Sequence, residues 1–248
     1  MIKNILKAIQ AYFGAFQLIS KLKLWKYFII PIIISVLTAT LIGVSAYALS
    51  DNIGYYIAGI WKWEFGKHTF EMLSTFFSGL LIIVIGLLLY KHIVMALSAP
   101  FMSPVSEKIE HYLTGEKYQY RKTSFQEQLV RGIRINVRNL LRELFFTIPI
   151  LLVSFIPVIG FFSAILLFIM QAYYAGFGNM DYTLERHLKY KDSINFVKKN
   201  KGIAIGNGII FMLFLLVPVI GVILVLPLSV TAATTETIKN IQRKKVIE

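Results

Sequence analysis

Four long runs without a charged residue dominate the pattern of apolar and polar positions along the chain. They cover Tyr27–Ser50, Met72–Tyr90, Leu144–Met180 and Ile203–Thr235. A helix crosses the hydrocarbon core of a bilayer with about 20 apolar residues, and charges would interrupt a soluble core of this size far more often. The pattern therefore predicts an all-α integral membrane protein that forms a single membrane domain over residues 1–248.

The first third of the chain predicts one interfacial helix and two long transmembrane helices. Within segment 1–26, apolar residues recur along one helical stripe from Ile2 to Phe16, with lysines and glutamines opposite. This pattern is typical of a cytoplasmic amphipathic helix that lies on the membrane surface. Segment 27–98 then holds the two transmembrane helices, joined by a loop rich in tyrosine and tryptophan.

Prolines predict where the second transmembrane helix ends. Pro100 and Pro104 each remove a backbone donor and favour a break. Ser103 followed by Pro104 is a good start for a short new helix. Segment 99–143 is therefore expected to consist of cytoplasmic helices.

A helix that begins near Ser124 carries an unusual arginine face. At 100° per residue, four arginines fall within about 80° of one another, with apolar residues opposite; they are Arg131, Arg134, Arg138 and Arg142. We expect this face to line an anion path, with Glu127 or Glu143 as pairing partners. A basic helix that faces water or lipid headgroups is the alternative.

The last two apolar runs, 144–180 and 203–235, are each interrupted by the same Pro-Val-Ile-Gly sequence, at Pro157–Gly160 and Pro218–Gly221. The halves that precede these turns have 13 and 15 residues, and they reach about 20 Å into a hydrocarbon core of about 30 Å. The pattern predicts two re-entrant (hemi-penetrating) helical hairpins whose tips lie inside the bilayer. Six full spans with the tips outside is the alternative.

The distribution of charge predicts the orientation of the chain. Of its 26 Lys and Arg residues, 24 lie in four segments, namely 1–26, 91–143, the connector 181–202 and the tail 236–248. The loop 51–71 holds the other two. By the positive-inside rule the loop is outside and both termini are cytoplasmic. The net charge of +13 therefore reports topology, and we expect no nucleic-acid partner.

Two further features are candidate anion-binding devices. Lys21, Lys23 and Lys26 precede the first transmembrane helix and form either an anion vestibule or an ordinary anchor at lipid headgroups. The half-helices that begin after Gly160 and Gly221 would point their N-termini, with partial positive charge, into the bilayer interior. The alternative is that the two tips simply pack against each other.

The sequence carries no recognisable catalytic or cofactor motif. It has no cysteine, nucleophile elbow, phosphate loop or zinc motif. The acidic residues and histidines of Glu107–His111 and Asp181–His187 are interpreted as charged helix ends rather than metal ligands. Gly202 and Gly206 are expected to permit close helix packing. We therefore expect no enzyme, no cofactor and no metal.

From about Gly14 to Thr235 the chain resembles the CysZ-type sulfate permeases, which are related to the etoposide-induced membrane proteins. The resemblance rests on seven motifs in chain order, namely LWKYFIIP (24–31), APFMSPVSEKIE (99–110), RGIRINVRNLLREL (131–144), IPVIG (156–160), NMDYTLERH (179–187), VPVIG (217–221) and PLSVTAAT (227–234). It implies a bacterial inner-membrane protein with two long transmembrane helices and two hemi-penetrating helix pairs. It also implies homo-oligomers and sulfate uptake.

The chain departs from the family at the motif that contacts sulfate, which is Gly-Leu-Arg, often followed by a second Arg. Here Lys23-Leu24-Trp25-Lys26 stands in its place, and only Lys26 matches a cation. Lysine binds an oxyanion as a point charge and lacks the bidentate fork of arginine.

Taken together, these features predict an inner-membrane anion permease that takes up sulfate or a similar oxyanion and works without nucleotide hydrolysis. Passage would be channel-like or driven by a gradient. The alternative is a non-transporting membrane scaffold or a lipid-interacting protein. That alternative draws support from the few polar residues at hairpin depth, which are Ser154, Ser163, Asn207 and Ser229.

Overall fold

The computed structural model describes residues 1–115, 123–154, 156–217 and 220–247, and these residues contain helices but no strand. The all-α class is therefore confirmed. A short 3₁₀ helix, Trp25–Phe28, follows α1, and the α-helices are α1 Ile2–Lys21, α2 Ile29–Ala58, α3 Lys67–Thr114, α4 Phe125–Ser154, α5 Pro157–His187, α6 Tyr190–Lys199, α7 Lys201–Leu215 and α8 Ile220–Ile247.

Three helical stretches are long and apolar enough to cross a membrane, namely Trp25–Ala58, Lys67–Thr114 and Gly160–His187. The first two contain the predicted transmembrane helices. The third lies in the second arm of the first predicted hairpin. A further apolar helix, Lys201–Leu215, is shorter. The chain is thus an all-helical membrane protein.

The chain divides into two compact units, and the smaller one is Ser35–Lys91. In this unit α2 and α3 run antiparallel at close range. A Cβ added to Gly54 would overlap the backbone of Thr75, and one added to Gly86 would overlap the side chain of Ile42. Small residues therefore let the two apolar helices approach.

The helix α3 continues unbroken through Pro100 and Pro104, so the prediction of a break and a new helix at Ser103 is wrong. A proline inside a helix costs about 3 kcal/mol. Here this cost is offset by burial and by contacts from α5. For example, the hydroxyl of Tyr182 donates to the backbone carbonyl of Met95 at 2.6 Å.

The larger unit, Met1–Ile34 with His92–Glu248, contains two antiparallel helix pairs, α4 with α5 and α7 with α8. Pro157 is the first residue of α5, and the equivalent Pro218 lies outside the described residues. A side chain on Gly160 would overlap a carbonyl at the end of α4, and one on Gly221 would overlap a carbonyl near the end of α7. Both glycines lie in the first turn of a helix, because α5 begins at Pro157 and α8 begins at Ile220. The prediction that these helices begin after Gly160 and Gly221 is therefore wrong, and glycine is needed at both positions because the preceding helix comes close.

Backbone contact between α5 and α7 joins the two pairs. A Cβ on Gly176 would overlap the carbonyl of Ala204, and one on Gly208 would overlap the carbonyl of Ala172. Residue numbers fall along α5 as they rise along α7 in these contacts, so the two helices are antiparallel. Glycine removes the side chains that would otherwise hold the two backbones apart.

The helix α1 packs against α7 in the same manner. A Cβ on Gly202 would lie 2.8 Å from the carbonyl oxygen of Met1, and one on Gly206 would lie 2.9 Å from the Cβ of Ala8. The expected packing role of these glycines is confirmed. The side of α1 that faces away exposes apolar residues, namely Ile2, Leu6, Phe13 and Phe16, as a helix on a membrane surface would.

We predict that Gly208→Ala lowers the thermal stability of the detergent-solubilised protein. The added methyl group meets backbone atoms that have no room to move, and overpacking of this kind costs about 1–3 kcal/mol. Gly14→Ala is the matched control, because nothing lies within 4 Å of its added methyl group and alanine favours a helix by about 0.5–1 kcal/mol. An equal shift in Tm for the two variants would contradict the close contact.

Candidate functional site

The first residue of the arginine face, Arg131, is fixed by an ion pair. Its Nε and Nη2 atoms each lie 2.9 Å from an oxygen of Asp181 on α5. Its other donors reach the carbonyl of Leu188 at 2.8 Å and the hydroxyl of Ser193 at 2.6 Å. Burial alone would lower the pKa of Arg131, but the Asp181 carboxylate outweighs it and raises that pKa. These bonds use most of the five N–H donors of the guanidinium, so Arg131 anchors α4 to α5 and α6.

The next two arginines stack on aromatic rings. The guanidinium of Arg134 lies 4.1 Å from the ring centroid of Tyr190, and that of Arg138 lies 5.3 Å from that of Phe177. Burial, and then the charge of Arg142, lowers the pKa of Arg138. Arg142 itself is exposed. Stacking leaves the N–H groups at the edge of a guanidinium available for an anion.

The arginines flank a buried polar face of α4, and the apolar side expected opposite them is partly exposed. The buried residues are Gly132, Ile135, Asn136, Asn139, Glu143 and Thr147. Ile133 and Val137 are exposed. Helical spacing alone identified the arginine side, but it did not show which side packs against α5.

The two expected acidic partners have other contacts. Glu143 is fully buried, and its Oε2 lies 3.1 Å from Nε2 of His92. Glu127 forms a reciprocal cap with Ser124, in which each backbone N–H donates to the other side chain at 3.1–3.2 Å. Asp181, which was interpreted from sequence only as a charged helix end, is the acidic partner of Arg131.

A cleft of about 260 Å³ opens beside the arginine face. Its lining includes Arg131, Arg134, Glu185, Lys189 and Tyr190. The first turn of α4 and the end of α5 form its walls. It therefore connects Arg131 and Arg134, but not Arg138 or Arg142, to the surface of the described structure.

The three candidate lysines before α2 lie in a tight reversal of the chain. α1 ends in a Schellman motif, in which Lys23 donates to the carbonyl of Ser20 and Leu24 donates to that of Ile19. Lys23 has a positive φ of 52°, a region that favours glycine. Lys21 and Lys26 contact tyrosines instead of carboxylates.

The two groups of acidic residues and histidines, Glu107–His111 and Asp181–His187, meet in a buried cluster. The sequence analysis did not predict this contact. Glu110 on α3 lies 2.9 Å from Nη2 of Arg186 and 2.7 Å from Nε2 of His187 on α5. In the described part of the chain, no group of three acidic, histidine or cysteine side chains is placed to hold a metal ion. The signal in the sequence that could have predicted this pairing is the opposite charge of Glu110 on α3 and Arg186 on α5, two otherwise apolar helices.

A second buried network lies between α1, α5, α7 and α8. The hydroxyl of Tyr12 lies 2.7 Å from the carbonyl of Asn207 and 2.8 Å from Oγ of Ser229. Asn179 donates to the side chain of Asn207 at 2.9 Å. Burial raises the pKa of Tyr12, so it stays neutral. Asn207 and Ser229, two of the few polar residues expected at hairpin depth, therefore belong to this larger buried network.

Comparison with known protein families identifies the family to which this chain belongs. A family profile described as sulfate transporter CysZ/etoposide-induced protein 2.4 matches residues 11–226. The chain belongs to this family. The resemblance drawn from the motifs is confirmed, and so is the expectation that the chain is not an enzyme, because the family is one of transporters.

Two relatives named sulfate transporter CysZ are similar at modest identity. One, from Vibrio parahaemolyticus serotype O3:K6, is 27% identical over 152 residues, which cover 60% of this chain and 61% of the relative. Another, from Vibrio atlanticus, is 26% identical over 222 residues, which cover 84% and 83%. The first match spans less than two thirds of that relative, and the second spans most of both chains.

Proposed function

We propose that this chain is a bacterial inner-membrane permease for sulfate or a similar tetrahedral oxyanion, and that it needs no nucleotide hydrolysis. Its family and the sulfate-transporter names of both relatives support this proposal. The observation that carries it is the arginine face beside an open cleft. In the described part of the chain, Arg134, Arg138 and Arg142 have no carboxylate partner.

The arginines divide into one anchor and three candidates for the anion path. Arg131 holds its position through Asp181 and has little donor capacity left. Arg134 and Arg138 are stacked and oriented, and Arg142 is exposed. Repulsion between Arg138 and Arg142, which lowers the pKa of Arg138, would be relieved by an anion bound between them.

We also propose that the two helix pairs are the predicted re-entrant hairpins. From Ala172 to Arg186, α5 is almost entirely buried, and its exposed apolar residues lie between Phe161 and Ile169. That lipid-facing stretch is about 14 Å long, whereas a full crossing needs about 30 Å. The 15 residues of α7 span about 22 Å.

The positions of Arg138 and Arg142 on α4 also support a hairpin that stops inside the bilayer. Arg142 precedes the end of α4 by 12 residues, which is about 18 Å of helix. A hairpin that spanned the full core would bury Arg142 and Arg138 in hydrocarbon at considerable cost. A hairpin that stops inside the bilayer leaves them at headgroup depth on the cytoplasmic side. The N-termini of α5 and α8 would then face the bilayer interior, where their partial positive charge favours an anion.

Exposed apolar residues on α4 support a homo-oligomer. Val130, Ile133 and Val137 are exposed, although they lie among arginines that belong outside the hydrocarbon. Lipid tails would not cover them at that depth, whereas a second copy of the chain would.

A non-transporting scaffold is the second candidate, and one observation favours it. The hydroxyl of Tyr12 bonds to the backbone carbonyl of Asn207 and to Oγ of Ser229, and the side chain of Asn207 donates to the backbone carbonyl of Ser229, so these polar groups are bonded within the protein rather than facing an open channel. A permease would have to open this network or bypass it through the arginine face.

Charge reversal on the arginine face tests the permease proposal. At an effective dielectric constant of 20, a unit-charge pair at 4 Å is worth about 4 kcal/mol, so Arg138→Glu should slow sulfate flux at least tenfold. Arg138→Lys should do less harm because the charge remains. The measurement is radiolabelled sulfate uptake into liposomes with matched incorporation. Lys198→Glu, on the exposed side of α6, is the control, and wild-type flux in Arg138→Glu would refute the proposed path.

Cysteine accessibility tests the hairpins, because the chain has no native cysteine. Cysteines at the exposed Ile156 and Leu216, beside the two turns, should not react with a bulky impermeant thiol reagent in intact cells. A cysteine at Gly66, in the loop expected outside, should react. Reaction at Ile156 or Leu216 equal to that at Gly66 would establish full crossings instead.

A further inference from the structure

The cleft between the first turn of α4 and the end of α5 combines exposed cations with a buried carboxylate. Arg134 and Lys189 line it and are exposed, and neither forms an ion pair with a carboxylate of the described residues. Glu185 lines the same cleft but is only 4% exposed. The cleft therefore offers separate groups for the two ends of a ligand that carries both charges.

Glu185 is a buried acid to which no cation is directly paired. Its Oε1 has no hydrogen-bond partner, and no cation in the described part of the chain forms an ion pair with it. The arginines near it are used elsewhere, Arg131 by Asp181 and Arg186 by Glu110. Proteins normally pair a buried charge with an opposite charge or with hydrogen-bond donors. A ligand that carries an ammonium group would supply both to Glu185.

The two cations are placed to hold an anionic group at the exposed side of the cleft. The guanidinium of Arg134 lies 4.1 Å from the ring centroid of Tyr190, the residue that directly follows Lys189. Stacking leaves the N–H groups at the edge of the guanidinium available to an acceptor. Glu127, the other acidic residue of the lining, is already engaged, because it caps α4 through the backbone N–H of Ser124.

Sulfate does not complement this cleft, because it brings no hydrogen-bond donor. A fully ionised oxyanion would meet the carboxylate of Glu185 with like charge and would leave its Oε1 without a partner. Arg138 and Arg142, which belong to the proposed anion path, are not part of the cleft lining. The cleft is therefore distinct from that path, although Arg134 borders both.

Volume and depth favour a small ligand that is dissolved in water. The cleft holds about 260 Å³, which is just below the range of drug-sized ligand pockets, which starts at about 300 Å³. Arg134 precedes the end of α4 by 20 residues, or about 30 Å of helix, whereas Arg142 precedes it by about 18 Å. In the re-entrant arrangement proposed above, Arg142 lies at headgroup depth, so the cleft opens about 12 Å further into the cytoplasm. The ligand therefore comes from solution rather than from the bilayer.

We infer that this cleft binds a small zwitterion that carries a primary ammonium group and a carboxylate. The ammonium group donates to Glu185, and the carboxylate accepts bonds from Arg134 and Lys189. The ligand thus bridges α4, the end of α5 and the start of α6. This inference goes beyond the proposed permease, because the zwitterion is not the transported anion. The sequence analysis interpreted Glu185 only as part of a charged helix end, since its distance from α4 depends on the fold.

The test uses the full chain in phosphatidylcholine nanodiscs and unbranched amino acids of increasing length. The probes are glycine, β-alanine, γ-aminobutyrate and ε-aminocaproate, and calorimetric titration at low salt gives a Kd for each. One length should bind most tightly, because the distance between the cations and Glu185 is fixed by the fold. The N-acetyl derivative and the methyl ester of that probe should each bind at least about tenfold more weakly, since each lacks one charge.

Two variants assign the ends of the ligand. Glu185→Gln keeps the shape of the side chain and should weaken binding of the best probe at least about tenfold, without weakening binding of its N-acetyl derivative. Lys189→Gln should weaken binding only about two- to fivefold, because Lys189 is exposed. Lys198→Gln, on the exposed side of α6, is the matched control and should leave the Kd unchanged. Elution volume and Tm show that each variant is folded.

Three results would overturn the inference. Equal affinity for the best probe and its N-acetyl derivative would show that the cleft recognises only an anion. Displacement of the bound probe by sulfate at matched ionic strength would make the cleft part of the anion path. Absence of binding by every probe would leave Glu185 as a neutral buried acid. Sulfate uptake is measured separately, so a chain that binds the zwitterion without transporting sulfate would refute the permease and leave this site intact.

Discussion

Backbone contact between α5 and α7 at Gly176 and Gly208 is the constraint on which the larger unit depends. It fixes the spacing of the two helix pairs, because each helix also packs against its own partner, α4 or α8. At that spacing Asn179 reaches Asn207, and Tyr12 on α1 completes the network. A side chain at either glycine would separate the helices and leave these buried polar groups without partners.

The same packing decides where the arginines lie. One ion pair, between Arg131 and Asp181, ties α4 to the buried end of α5, and the stacked Arg134 and Arg138 follow along α4. In the proposed re-entrant arrangement the apolar part of the first hairpin is short, because little of α5 faces outward beyond this buried end. A short hairpin of this kind would leave the arginine face at headgroup depth, where an anion could reach it without a charge deep in hydrocarbon.

Much of this architecture could be predicted from sequence, because it follows from local rules. Runs without charge identify the apolar helices, the first Pro-Val-Ile-Gly marks the start of α5, and Gly202 and Gly206 signal close packing. The unbroken α3 could not be predicted, since tertiary contacts such as Tyr182 to Met95 override the two prolines. Periodicity places Arg131 on a face but cannot name Asp181, 50 residues away, as its partner.

Net sulfate uptake by the pure wild-type protein distinguishes a permease from a non-transporting scaffold. Liposomes that contain it, and protein-free liposomes of the same lipid, are loaded without sulfate and exposed to an inward gradient of the radiolabelled anion. The account predicts uptake that is proportional to the protein incorporated and that occurs without nucleotide. Uptake equal to that of protein-free liposomes, from correctly folded protein in either orientation, would contradict it and favour the scaffold.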